Sequence, residues 1–131
     1  MLHFIVIAAF ILHGLAHVSG FMASWTRNSS GFSDRPWVLS TGVTLHSGVG
    51  HIFGLLWLVA AICSVGAGIG LALAQPWWPV LAVTQAVVSL IVIVPWWNTV
   101  VPGAKVGAVF DVIVLVALLL PWRDAVFAAL K

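Results

Sequence analysis

The chain has 131 residues, of which 63% are hydrophobic and 6% charged, with a formal net charge of +2. A soluble domain carries roughly a quarter charged residues, so this composition excludes a water-facing surface and requires lipid to cover most of the protein. The few unclustered cations exclude a nucleic-acid partner, and the single cysteine, Cys63, excludes an intrachain disulfide. One domain, residues 1–131, is expected from the length.

Leu2 to Ser24 contains no Lys, Arg, Asp or Glu. A span needs about 20 apolar residues, and this run is long enough. Met1–Leu2–His3 lacks the basic start of a signal peptide, so the segment is expected to stay in the mature chain as a first helix over about 2–24. Arg27, Asn28, Ser29, Ser30, Gly31, Asp34 and Arg35 then form a polar loop. From Pro36 to Ala104 there is no formally charged residue. Two spans and a turn must share that stretch. Gly66, Gly68, Gly70 and Gln75–Pro76 mark the turn, which predicts a second helix over about 38–63 and a third over about 77–96. Pro95, Asn98, Pro102 and Gly103 end the third helix. The fourth is expected over about 104–120, stopping at Pro121. The expected fold is an all-α membrane protein, a four-transmembrane-helix bundle.

Eight Trp and no Tyr are present. Trp gathers at membrane–water interfaces. Trp25, Trp37, Trp96 and Trp97 fall at the ends joined by the first and third loops; Trp57, Trp77, Trp78 and Trp122 fall at or towards the other face. Arg27, Arg35 and Lys105 lie on the first side, against Arg123, Lys131 and the α-amino group on the second. The positive-inside rule therefore places the first and third loops in the cytoplasm.

Ionisable residues inside a span are costly and face the bundle interior. Counted from the first-loop side, His17, His46, Asp111 and Ser89 reach a common depth of roughly 10–13 Å. His13, His51 and Gln85 lie deeper, at roughly 16–21 Å. His13 and His17 are four apart and share a face. Small residues at spacing four, namely Ala16/Gly20/Ser24, Gly42/His46/Gly50/Gly54 and Gly103/Gly107/Asp111, mark expected close packing. His51 points well away from His46 on a regular helix.

Taken as a set, these residues point first to a metal. Two imidazoles and a carboxylate from His17, His46 and Asp111 suit iron, copper or zinc with open positions. His13, His51, Gln85 and Ser89 are expected to line the cofactor site and to supply further ligands or orienting hydrogen bonds. Haem is an alternative cofactor, although adjacent helices about 8–10 Å apart leave little room for a macrocycle. A second reading is a proton-coupled transporter or channel titrating at Asp111. A third is interhelical hydrogen-bond glue. No nucleophile–base pair or phosphate loop identifies a catalytic residue. With so little mass outside the lipid, a homo-oligomer or an accessory or redox subunit of a larger membrane complex is expected.

His13–Gly14–Leu15–Ala16–His17 followed by Gly20–Phe21 resembles the first helix of small bacterial four-span membrane proteins of uncharacterised function. Gly54–Leu55–Leu56–Trp57–Leu58 resembles their second helix. The likeness covers about half the chain and implies a four-span architecture in the bacterial inner membrane, without an activity. The pair His46 and His51 stands outside that pattern.

Overall fold

The computed structural model describes residues 1–38, 41–98 and 103–130. Among them the regular structure is entirely helical: α1 Leu2–Trp25, α2 Gly48–Ala72, α3 Trp78–Ile93, α4 Gly103–Leu119 and the short α5 Arg123–Ala129. α1 and α2 are each long and apolar enough to cross a membrane. α4 and α5, bent by 105° at their break, make a third crossing if the pair is taken as one span; α3 is a shorter apolar helix.

α1 and α4 match expectation closely. α3 stops at Ile93, where tight turns around Pro95 take over (Trp96 N–H to Ile93 C=O 3.1 Å, Trp97 N–H to Val94 C=O 3.3 Å). α2 requires a correction: it occupies Gly48–Ala72, not 38–63. Its start is fixed by Ser47, whose Oγ accepts from Gly50 N–H at 3.2 Å and donates to Thr44 C=O at 2.7 Å. That is an N-cap seated in a preceding turn. Its far end runs through the glycines expected to break it. Cβ atoms at Gly66, Gly68 and Gly70 would meet Leu81, Ile11 and Trp77 side chains at 2.8, 2.9 and 2.5 Å. These glycines are contact surfaces, the use membrane helices commonly make of small residues. The reversal comes later, at Leu73–Trp77, with Ala74 at φ 50°. Positions 39 and 40 of the expected second helix, the helix-ending role of Pro102 and the interfacial placement of Lys131 fall outside the described residues.

The helices run alternately up and down. Trp25 Nε1–H donates to His51 C=O at 3.2 Å, joining the end of α1 to the start of α2. Trp37 donates from Nε1 to Val94 C=O (2.5 Å) and from its backbone N–H to Pro95 C=O (3.0 Å), placing the first loop over the end of α3. At the opposite end His3 Nδ1–H donates to Leu130 C=O at 2.6 Å. The core along that end packs Phe10, Ala67, Trp78, Ala82, Val114 and Leu118.

Tryptophan follows expectation at the rims and departs from it inside. Trp25, Trp37, Trp77, Trp97 and Trp122 are exposed. Trp57, Trp78 and Trp96 are buried. Trp57 packs on His17 and on Phe32 of the first loop, with ring centroids 5.2 and 5.3 Å away. It therefore belongs to the interior of the first-loop half and not to the far interface. Trp96 packs on Phe53 at 5.0 Å.

Candidate functional site

α1, α3 and α4 bring five polar side chains together in the interior. Their spacing is helical: His13 and His17 from α1, Gln85 and Ser89 from α3, each pair one turn apart on one face. Asp111 of α4 faces both pairs and is fully buried, as are Gln85 and Ser89. Its Oδ1 accepts from His13 Nε2–H at 3.0 Å and from Gln85 Nε2–H at 2.5 Å. Its Oδ2 lies 2.5 Å from Ser89 Oγ. Ser89 Oγ in turn lies 2.7 Å from His17 Nε2, and His17 Nδ1–H donates to His13 C=O at 2.9 Å. The two depths expected for these residues thus merge into one network, because Asp111 reaches across a full turn of α1 and of α3.

The network can be counted in hydrogens. The chain His13 C=O, His17, Ser89, Asp111 Oδ2 contains three consecutive hydrogen bonds. A hydroxyl brings one hydrogen, a neutral imidazole one and an ionised carboxylate none. Three bonds therefore require one proton more than a carboxylate beside a neutral imidazole supplies. That proton sits either on Asp111 Oδ2, with Ser89 donating to His17 Nε2, or on His17 as an imidazolium, with Ser89 donating to the carboxylate. Shifting two hydrogens through Ser89 interconverts the forms. Both are neutral overall, which suits a carboxyl group without water access, since a lone buried charge is very costly.

His13 links the network to a cavity of about 110 Å³ on the first-loop side. Its Nε2 is committed to Asp111, while the ring also lines the cavity with His17, Trp57, Trp96, Gly103 and Gly107. The other side of the network is different. There a cavity of about 230 Å³ is lined by apolar residues such as Val6, Phe10, Phe110 and Ile113. Polar access to Asp111 thus lies towards the first loop.

The remaining histidines sit elsewhere. His46 is exposed in the turn before α2, with Nδ1 3.2 Å from Ser24 C=O. His51, in the first turn of α2, stacks at 4.8 Å on Trp25. The shift of α2 along the chain carries both to the first-loop end. Of the metal set His17, His46 and Asp111, only His17 and Asp111 are joined, through Ser89. Of the cofactor set His13, His51, Gln85 and Ser89, three touch Asp111 or His17 and His51 does not. Among the described residues there is no group of three or more His, Cys, Asp or Glu that could hold a metal ion.

Trp57 and Trp96 were assigned to the belts by sequence and instead wall the cavity. A signal for Trp57 was present: Gly50, Gly54, Trp57, Ala61, Ser64 and Gly68 recur at spacings of four and three, and all are buried along one face of α2. Comparison with protein-family models, with curated proteins and with solved structures gives no match.

Proposed function

We propose that the chain is a four-span membrane protein whose buried cluster binds and releases a proton from the first-loop side, as the core of a proton-coupled transport activity. In this reading α3 and the α4–α5 pair complete the bundle begun by α1 and α2. The 16 residues of α3 rise roughly 24 Å, and the turns that flank it extend the crossing. The observation that carries the reading is the hydrogen count at Asp111, which leaves one exchangeable proton in a neutral, enclosed network.

The side chains define its route. With Asp111 ionised, a proton from the cavity is taken up at His13 Nδ1. His13 then releases its Nε2 proton to Asp111 Oδ1, 3.0 Å away. Once the carboxyl hydrogen has moved to Oδ2, Ser89 accepts it while giving its own hydrogen to His17 Nε2, which leaves Asp111 ionised and His17 an imidazolium. Binding of iron, copper, zinc or haem is less well supported by this arrangement. The nitrogen and oxygen atoms a metal would need are hydrogen-bonded to one another, and His46 is turned to Ser24 C=O.

The test is proton flux into liposomes containing the purified chain, with Asp111→Asn as the comparison. The parent protein is expected to move protons in a pH-dependent way, and Asp111→Asn to reduce this to the level of empty vesicles. Equal flux from the two proteins would overturn the reading. Elemental analysis of the same samples checks the metal alternative: stoichiometric iron, copper or zinc that is lost with His17→Ala would favour it.

A further inference from the structure

Among the described residues of the first loop, Phe32 is the one that lines the cavity beside His13. Its ring stands edge-on to Trp57, with centroids 5.3 Å apart and planes at 90°, and Trp57 packs in turn on His17. A tight turn sets that position. Ser30 and Gly31 both have positive φ, 50° and 82°, and Phe32 N–H donates to Ser29 C=O at 2.8 Å. This is the arrangement of a type I′ turn. Glycine adopts such a conformation freely; serine adopts it only where its surroundings hold it. Asn28 Oδ1 does so, accepting from Ser30 N–H at 3.0 Å. The loop is pinned on both sides of the turn. Before it, Thr26 Oγ1 donates to Met22 C=O at 2.7 Å and accepts from Asn28 N–H at 3.1 Å. After it, Leu45 N–H donates to Asp34 C=O at 2.9 Å, and Trp37 is tied to the end of α3.

From this we infer that Phe32 is a plug in the water entrance to His13, and that the Ser29–Phe32 turn is the hinge on which it opens. The inference rests on the proton reading, because it assigns the gate of the same route. With the ring against Trp57, hydrocarbon closes the first-loop end of the cavity and water is kept from the imidazole. When the turn swings outward between its pinned ends, water fills a space of about 110 Å³, enough for several molecules. His13 Nδ1 borders that space: a Cβ at Gly107, which lines it, would stand 3.9 Å from this atom. Opening unseats one half-buried ring and releases the positive φ at Ser30. The open form is therefore a minor state of the folded protein, and its population limits proton entry in the way that loop opening limits many membrane-free enzymes.

The experiment reads access and flux separately. Ser19, which also lines the cavity, is replaced by cysteine in a Cys63→Ala background of the full chain in liposomes. The rate of its modification by a cationic methanethiosulfonate, which arrives only through water, is then measured. Phe32→Ala is expected to raise that rate roughly tenfold, the factor for an open form populated at about a tenth. Gly31→Val keeps the ring but opposes the φ of the turn; it is expected to raise the rate as well, and it decides the matter if Phe32→Ala does not fold. Proton flux is expected to rise with Phe32→Ala and to fall to the level of empty vesicles when Asp111→Asn is added. An unchanged modification rate in the folded variants overturns the plug. So does a raised flux that survives Asp111→Asn, because the entrance would then open onto a leak and not onto His13. If modification quickens while the parent protein moves no protons, the plug stands and the proton reading fails. If modification is unchanged while Asp111→Asn abolishes flux, the plug fails and the proton reading stands.

Discussion

Asp111 is held by donors from two helices, and its neighbours depend on it in turn. Ser89 is the joint: its hydroxyl is bonded to both Asp111 Oδ2 and His17 Nε2. Ser89→Ala leaves two buried polar atoms facing a methyl group. A loss of about 1–3 kcal/mol is expected, read as a lower unfolding midpoint in detergent. His46→Ala removes an exposed side chain with one backbone contact, and its stability is expected to stay within about 0.5 kcal/mol of the parent. A destabilisation by His46→Ala equal to that of Ser89→Ala would contradict the separation of the two sites. Much of the cluster was legible in the sequence. His13, His17, Gln85, Ser89 and Asp111 are polar residues in charge-free runs, and helical spacing sets their depth and face. What spacing could not reveal was which residues touch, since lateral distance is set by glycine contacts between helices. The expected central position of His46 fails because α2 begins at Gly48, which leaves His46 in the turn before the helix.

At the scale of the element, α1 and α2 are joined through glycine. A Cβ at Gly14 would lie 2.8 Å from Val65 Cγ2 and 2.9 Å from Ala61 C=O. Gly20 meets the Trp57 ring, and Gly54 meets Ser24 and Trp25. Gly14→Val is expected to push the two helices apart and cost about 1–3 kcal/mol. Thermal unfolding monitored by circular dichroism checks this, with Gly48→Ala as control because nothing lies within 4 Å of a Cβ there. Gly66, Gly68 and Gly70, contact glycines of the same kind, explain the misplaced end of α2. With no charge between Pro36 and Ala104, boundary placement rests on turn formers. A glycine run reads equally as a turn or as a contact face. The stronger mark was Ser47, a capping residue ahead of a long apolar segment. The short α5 follows Pro121, and α4 and α5 are not collinear: the break turns the chain by 105°.

For the molecule as a whole, the contact of His3 with Leu130 puts the two ends of the described chain on one side. In the four-span arrangement proposed above, tags at both termini are expected to be labelled from the same face of sealed vesicles. Opposite labelling would leave an odd number of crossings. The apolar helical segments and the pairing of the first and third loops could be read from charge gaps, because the cost of burying charge in lipid is large, whereas the short α5 could not. The interior tryptophans could not, because an indole suits both an interface and a core.

The seam between α1 and α4 is built differently from the glycine-lined contact of α1 with α2. Near its middle it is bridged by the His13–Asp111 bond and the ring contact of His13 with Phe110 at 4.6 Å, with one cavity on either side. The bundle therefore has a parting line. A separation along it would keep the glycine contacts of α1 with α2 and break the His13–Asp111 bond, which in the reading proposed above carries the proton. Under that proton reading, the seam is expected to loosen or tighten with the protonation of Asp111.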